Sequence, residues 1–278
     1  MVGAGELVWL FDKWERNDLC SCQRRYRECP FWSCVMEHFF SIMPDISVIE
    51  AARITHKVEN GVYVWRLFSG APSELHQHYG EIWRAMLEAI ATVSQASIIV
   101  DSSKTTHLIA GRPIALARLG QINVRLLHLV RDPRAVMWSS LRGSNRLLES
   151  GQSTRTHGRA LRALIGWCIT NLTVETMRLA GFGKVLRVRY EDYVTDAGKE
   201  VSRIAAEFGV DWQPLAAIME QGSFLSPGHG VAGNRLRRQK GLHIRADNEW
   251  KTKLPNYARR LAWLSWPIMR QYGYTLNG

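Results

Sequence analysis

Two residues eight positions apart frame the chemistry of this sequence. In "LLHLVRDPRAVMWSS" (126–140) an apolar run ends at Arg131, Asp132 and Pro133 follow, and Ser139 comes about two turns into a helical pattern. Asp132 suits a helix cap and Pro133 a first helical position, so the stretch predicts a strand that stops at Arg131 and a helix that starts at once. In an open α/β sheet, ligands gather outside the carboxyl ends of strands, where helix N-termini present free N–H groups and a positive dipole end. There Arg131 and the Ser139 hydroxyl can grip one phosphate through charge-assisted hydrogen bonds. The plainer reading pairs Arg131 with Asp132 or Asp101 and makes Ser139 a filler hydroxyl.

Other chemistry-bearing groups lie near the two ends of the chain. His229 falls in the Gly-rich basic stretch "GSFLSPGHGVAGNRLRRQKG" (222–241), a loop expected to close over a site. Because histidine titrates nearest neutral pH, it is a candidate base. In the same loop Asn234, Arg235 and Arg237 read as a lid over phosphates, with Gly233 giving the backbone freedom to approach; the alternative is a solvated basic loop. Cys20, Cys22, Cys29 and Cys34 lie within fifteen residues, enough thiolates for a tetrahedral metal site. Their C-x-C-x6-C-x4-C spacing lacks the paired C-x2-C knuckles of zinc modules, so the expectation is reduced structural thiols and no metal, with a zinc site as the alternative.

The elements that must position these groups follow from hydrophobic periodicity. Leu75, Tyr79, Ile82, Trp83, Met86, Leu87 and Ile90 recur at three- and four-residue steps, predicting an amphipathic helix over 73–95 with Ser73 as its cap. "ASIIVDSSK" reads as a buried strand, "RPIALARLG" as a helix, "VRLLHLV" as the next strand and "PRAVMWSSLRG" as the next helix. A long helix over 155–180, the strand "KVLRVRYED", the helix "DAGKEVSRIAAEFG" and a last helix over 256–272 complete the series. Alternation of this kind predicts an α/β fold with a mainly parallel sheet covered by helices on both faces. No repeat and no linker divides the chain, so residues 1–278 read as a single domain.

Composition bounds the partners. With 36 Lys and Arg against 25 Asp and Glu the net charge is +11, so the protein attracts anions. Zinc-finger spacing, a basic heptad region and ribonucleoprotein motifs are not found, so no specific nucleic acid is expected. No apolar run has the length of a membrane span, and the start carries Glu6 and Asp12 inside its apolar stretch, unlike a signal peptide. The expectation is a cytoplasmic protein with its five cysteines reduced.

"LLHLVRDPRAVMWSS" resembles the 3′-phosphate-binding motif of sulfotransferases that use 3′-phosphoadenosine-5′-phosphosulfate (PAPS). "IIVDSSKTTHLIAGRPIALARLG", "VLRVRYEDYVTD", "HGVAGNRLR" and "NEWKTKLP" are similar to the corresponding positions of bacterial-type sulfotransferases, as are "GELVWLFDKW" and "LCSCQRRYRECPFW" near the start. The resemblance runs from about Gly5 to about Tyr274. It implies a three-layer α/β sandwich of the P-loop-NTPase-like kind and transfer of a sulfonate from PAPS to a hydroxyl or amine of a small molecule or carbohydrate. It assigns the 3′-phosphate to Arg131 and Ser139, the adenine to Tyr190 in "RYED", charge neutralisation at the transferring group to Lys104, and the general base to Glu6. For Tyr190 the alternative is a core aromatic at a strand end, for Lys104 a surface lysine, and for Glu6 a solvated side chain or cap partner.

The family pattern also begins with a strand and an Arg-Ser-Gly-Ser/Thr loop that holds the 5′-phosphosulfate. Met1 stands five residues before Glu6, and no GxxxxGK[ST] sequence occurs elsewhere. The expectation is therefore a form lacking its first strand and phosphate loop, either truncated or a catalytically inactive relative that binds nucleotide or a partner. A nucleotide kinase on the same general fold would need a lysine-bearing phosphate loop that the sequence does not contain.

Overall fold

The computed structural model describes residues 1–60, 66–67, 73–104, 111–142, 157–211, 228–233 and 246–276. They gather into two compact units, one of residues 1–124 and 225–242, the other of residues 125–224 and 243–278.

The first unit begins with β1 (Val2–Gly5), which runs into a 3₁₀ turn (Leu7–Trp9) and α1 (Leu10–Glu15). Next come α2 (Pro30–Ile42), α3 (Val48–Glu59), α4 (Glu74–Ser94), β2 (Ile99–Asp101) and α5 (Arg112–Arg118). Strand β1 pairs in parallel with β2, Val2 opposite Ile99 and Gly5 opposite Asp101. On its other side Gly5 bridges Val231. Pro30 occupies the first turn of α2, where its missing N–H costs nothing, and the Ser47 side chain caps α3 by accepting from the Glu50 N–H at 3.1 Å.

The stripe expected on α4 forms the core of this unit. Tyr79, Ile82, Trp83, Met86 and Ile90 are buried against Phe11, Trp32, Val35, Met36 and Phe39, with Leu75 and Leu87 half-buried at its edge. Gly80 on the same helix lets α4 approach the end of α5, since a Cβ there would sit 2.2 Å from the Leu119 carbonyl oxygen. Ser73 caps α4 as expected, its N–H donating to His76 Nδ1 at 3.4 Å. Strand β2 is shorter than the run "ASIIVDSSK" suggests.

The second unit holds β3 (Arg125–Val130), α6 (Pro133–Arg142), α7 (His157–Leu179), β4 (Lys184–Arg189), α8 (Tyr190–Thr195) and α9 (Ala197–Phe208). After them come α10 (Trp250–Lys253), α11 (Asn256–Leu261), a 3₁₀ turn (Ala262–Ser265) and α12 (Trp266–Gln271). Strands β3 and β4 pair in parallel without a slip, Arg125 opposite Lys184 through Val130 opposite Arg189. Val130, Met137, Trp138, Leu164, Trp167, Trp250, Met269, Tyr272 and Tyr274 form its core.

Two boundaries differ from the sequence reading. The run "KVLRVRYED" is strand only to Arg189, where pairing with β3 ends; Tyr190 opens a helix whose first turn carries Glu191 and Asp192 toward the positive end of its dipole. The single helix expected over 256–272 is three pieces, because Pro267 in the first turn of α12 cannot donate to the preceding turn. The described strands form two parallel pairs, which agrees with an α/β fold. No described helix is long and apolar enough to cross a membrane.

Helices α1 and α3 are joined by a charged contact, His56 Nε2 to Asp12 Oδ2 at 2.7 Å, with the Trp9 ring 5.3 Å from the imidazole. The Asp12 hydrogen bond and charge raise the His56 pKa above its usual 6.5 despite partial burial. Burial pushes Asp12 up, but the His56 hydrogen bond and charge outweigh it and leave the carboxyl below its usual value. A raised histidine stabilises the fold fully below its unfolded pKa and loses that effect as pH rises through the folded one; a lowered carboxyl loses its effect as pH falls through its own folded value. The pair therefore supports the fold between those limits. Histidine-resolved NMR titration is expected to give His56 a midpoint above 6.5, moving down in Asp12→Asn.

Candidate functional site

The carboxyl end of β2 is organised by one side chain. Asp101 Oδ1 accepts the backbone N–H of Leu7 at 3.2 Å, the N–H of Ser103 at 2.9 Å and the Ser103 hydroxyl at 2.6 Å. Its Oδ2 accepts from Arg112 Nε at 2.7 Å. The Val8 N–H donates to Ser103 Oγ at 3.1 Å, and the Ser102 N–H to the Gly5 carbonyl at 2.8 Å. This web holds the turn after β1 against the turn after β2. It brings together two of the residues singled out in the sequence: Glu6 Oε1 lies 3.0 Å from Lys104 Nζ. The Glu6 side chain is 12% exposed and that of Lys104 70%, so the carboxylate is largely buried and the ammonium reaches it from solvent.

Behind this surface, Arg112 is fully buried between two acids. Nη1 pairs with Glu59 Oε1, to which Tyr79 also donates at 2.8 Å, and the guanidinium lies flat on the Trp83 ring at 4.0 Å. Burial raises the Glu59 pKa, with the Arg112 charge opposing it. The sequence reading offered Asp101 as a partner for Arg131; Asp101 is instead taken by Arg112. Sequence inspection gave Arg112 no role because it sits inside an apparently ordinary helix start.

Arg131 follows β3. Asp132 Oδ1 accepts the Arg134 N–H at 2.8 Å, so it caps α6 as expected, while its carboxylate is held by the Arg134 side chain. Arg131 does not pair with Asp132. Its guanidinium lies over the Tyr190 ring at 4.3 Å, and Nη2 reaches the Asp247 carbonyl at 3.2 Å and the Asp247 carboxylate at 3.4 Å. Its Nε is buried and makes no hydrogen bond among the described residues. Its carbonyl accepts from Trp167 Nε1 at 2.9 Å, which fixes the backbone at the strand end.

Asp247 also accepts from Arg142 Nη2 at 3.0 Å. Burial raises its pKa, but the Arg142 and Arg131 charges outweigh this and hold the carboxyl below its usual range. Ser139 is exposed on α6. Arg131 and Tyr190 are therefore in direct contact, and Ser139 stands on the helix that Arg131 introduces. Asp247 and Arg142 were missed by the sequence reading; the acidic start of "DNEWKTKLP" was their only sign.

The loop around His229 is described over 228–233. Val231 adds to the edge of β1, its N–H donating to the Ala4 carbonyl at 2.8 Å while its carbonyl accepts from the Glu6 N–H at 2.7 Å. Gly5 permits this contact: its φ is +78°, and a Cβ would lie 2.3 Å from the Val231 nitrogen. Gly233 has φ +92°, the left-handed freedom expected of it. His229 Nδ1 faces the Cys29 thiol at 3.2 Å, and burial lowers its pKa. Asn234, Arg235 and Arg237 lie outside the described residues.

With this geometry in place, the comparisons have a context. Residues 35–214, well over half of the chain, match the model of the sulfotransferase family. The chain belongs to the sulfotransferase family. Among solved structures it is similar to the sulfotransferase domain from the curacin biosynthetic pathway, at 18% identity and a TM-score of 0.45, covering 98% of this chain and 88% of that one. No curated protein matches.

Replacing Arg112 by methionine would leave Glu59 as a buried, uncompensated carboxylate and release Asp101 from one partner. The expected loss is about 3–5 kcal/mol, read as a lower urea midpoint than wild type, with Glu37→Gln at an exposed position of α2 leaving the midpoint nearly unchanged.

Proposed function

We propose that this chain transfers a sulfonate group from PAPS to a hydroxyl or amine of a small molecule or carbohydrate. Family membership supports the reaction class. The observation that carries the donor assignment is Arg131, laid over Tyr190 at the end of β3 with a buried Nε that no described residue satisfies. A buried guanidinium N–H without an acceptor is costly, and an anionic oxygen is the acceptor such a fork favours. On this reading Arg131 and Ser139 receive the 3′-phosphate, Tyr190 borders the adenine, and the Asp247 carboxylate yields Nη2 when the phosphate arrives. The overall fold would then be the three-layer sandwich of the P-loop-NTPase-like kind.

In the transfer itself, the acceptor oxygen or nitrogen forms a bond to sulfur while the sulfur–oxygen bond to the 5′-phosphate breaks. Adenosine 3′,5′-bisphosphate leaves, and the acceptor proton passes to a base. Glu6 is suited to take that proton because its carboxylate is largely buried beside Lys104 and its backbone is held by the Val231 carbonyl. Lys104, largely exposed, can move from Glu6 to the sulfonate oxygens, which both frees the carboxylate and offsets the charge that develops on the bridging oxygen. Positioning and charge stabilisation supply most of the rate in such in-line transfers.

Calorimetric titration with adenosine 3′,5′-bisphosphate is expected to show binding that weakens about 10–100-fold in Arg131→Ala, the loss of a charge-assisted hydrogen-bonding group. A folded wild-type chain that binds no bisphosphate would overturn the donor assignment. With radiolabelled PAPS and a panel of phenols, sugars and amines, Glu6→Gln is expected to keep bisphosphate affinity while turnover falls about 10²–10⁴-fold. Binding without turnover on any acceptor would instead identify a nucleotide-binding protein that does not catalyse.

A further inference from the structure

Three thiols and one imidazole converge in the first unit. Cys29 Sγ lies 3.6 Å from Cys22 Sγ, 3.8 Å from Cys20 Sγ and 3.2 Å from His229 Nδ1. All four atoms are within 4.8 Å of one another. Zinc–sulfur bonds of about 2.3 Å and zinc–nitrogen bonds of about 2.0–2.1 Å place neighbouring ligands of a tetrahedron about 3.6–3.8 Å apart. The Cys29–Cys22 and Cys29–Cys20 separations match those edges, and both are far from the roughly 2.05 Å of a disulfide. We propose that Cys20, Cys22, Cys29 and His229 bind a structural zinc ion.

The surroundings of the sulfurs fit thiolates. The backbone N–H groups of Cys22 and Arg24 face Cys20 and Cys22, and Cys29 stands at the N-terminus of α2, where the first N–H groups of the helix are free. Amide donors aimed at sulfur are the outer shell that metal-bound thiolates require. A closed set of three thiolates and one imidazole suits zinc better than harder ions.

The fold also builds the site from both sides. Cys20 and Cys22 sit on a tight turn closed by the Cys20 N–H to the Arg24 carbonyl at 2.9 Å and the Gln23 N–H to the Cys20 carbonyl at 3.0 Å. Cys29 caps α2. His229 is oriented by stacking on Phe31 at 5.3 Å, its carbonyl accepts from Trp32 Nε1 at 2.5 Å, and the Ser21 hydroxyl holds the Gly228 carbonyl at 2.8 Å. Cys34, which the sequence groups with the other three, is exposed on α2, and the fourth ligand is a histidine 200 positions beyond Cys29. The ion would lock the 228–233 segment, whose Val231 pairs with Ala4 and Glu6, to the Cys20–Cys29 stretch that follows α1, and so help to fix the backbone that carries Glu6.

The test uses the purified full chain. Elemental analysis is expected to give about one zinc per chain, released by a mercurial that titrates thiols. After removal of metal under reducing conditions, cobalt(II) is expected to restore one equivalent of binding with thiolate-to-cobalt charge transfer and the intense visible bands of tetrahedral coordination. Cys22→Ser, partly exposed and so tolerable to the fold, should weaken zinc binding at least about tenfold, as should His229→Ala, whereas Cys34→Ser should not. A folded chain that contains no zinc and gives cobalt no thiolate bands would overturn the proposal, as would a Cys20–Cys29 or Cys22–Cys29 disulfide found by mass spectrometry.

Discussion

The first unit depends on the Asp101 carboxylate. A single side chain receives the backbone of Leu7, the backbone and hydroxyl of Ser103 and the guanidinium of Arg112. Those four contacts come from three separate stretches of chain, and all are needed where two parallel strands end and their backbone groups lose their ladder partners. The carboxylate therefore does for the turn after β1 and the turn after β2 what further strand pairing would do elsewhere. Its charge is tolerable because Arg112 lies beneath it, and Arg112 in turn is held by Glu59 and the Trp83 face, with only its Nη2 left without a partner among the described residues. Glu6 and Lys104 are the two side chains this frame leaves facing each other.

In the second unit the same problem, an arginine at a strand end, is solved more loosely. Arg134 has both Asp132 oxygens and two carbonyls of the chain end, and is buried. Arg131, three residues earlier, has a ring beneath it, one carboxylate shared with Arg142 and one buried nitrogen left over. Arg112 Nη2, Arg187 Nε and Arg189 Nε are likewise buried without a partner among the described residues, so what sets Arg131 apart is its place directly before α6, the helix that carries Ser139.

What could be read in the sequence was whatever local periodicity and local chemistry determine. The α4 stripe, the Asp132 cap, the strand ending at Val130 and the Gly233 conformation all follow from residues within a few positions of one another. The link between Glu6 and Lys104 came only through resemblance to a family, because nothing in either neighbourhood announces the other. Arg112 and Asp247 were missed since their partners lie 11 and 116 positions away, and a charged residue in a helix or loop looks the same whether or not its partner exists. The break at Pro267 was legible in principle; a proline inside a helical pattern ends the preceding turn.

The thiol cluster shows why spacing rules fail in one direction. A C-x2-C knuckle supplies two ligands from one turn, so two such knuckles announce a site in sequence. Here Cys20 and Cys22 share a turn, Cys29 comes from a helix cap, and the last ligand arrives on a strand-like segment that joins β1 through Val231. Such a site is written in the topology, because it exists only once the Gly5 backbone lets Val231 approach. A tetrahedral centre assembled this way couples the two ends of the chain's first unit. Its formation and the pairing of Gly5 with Val231 reinforce each other, since each shortens the loop that the other must close.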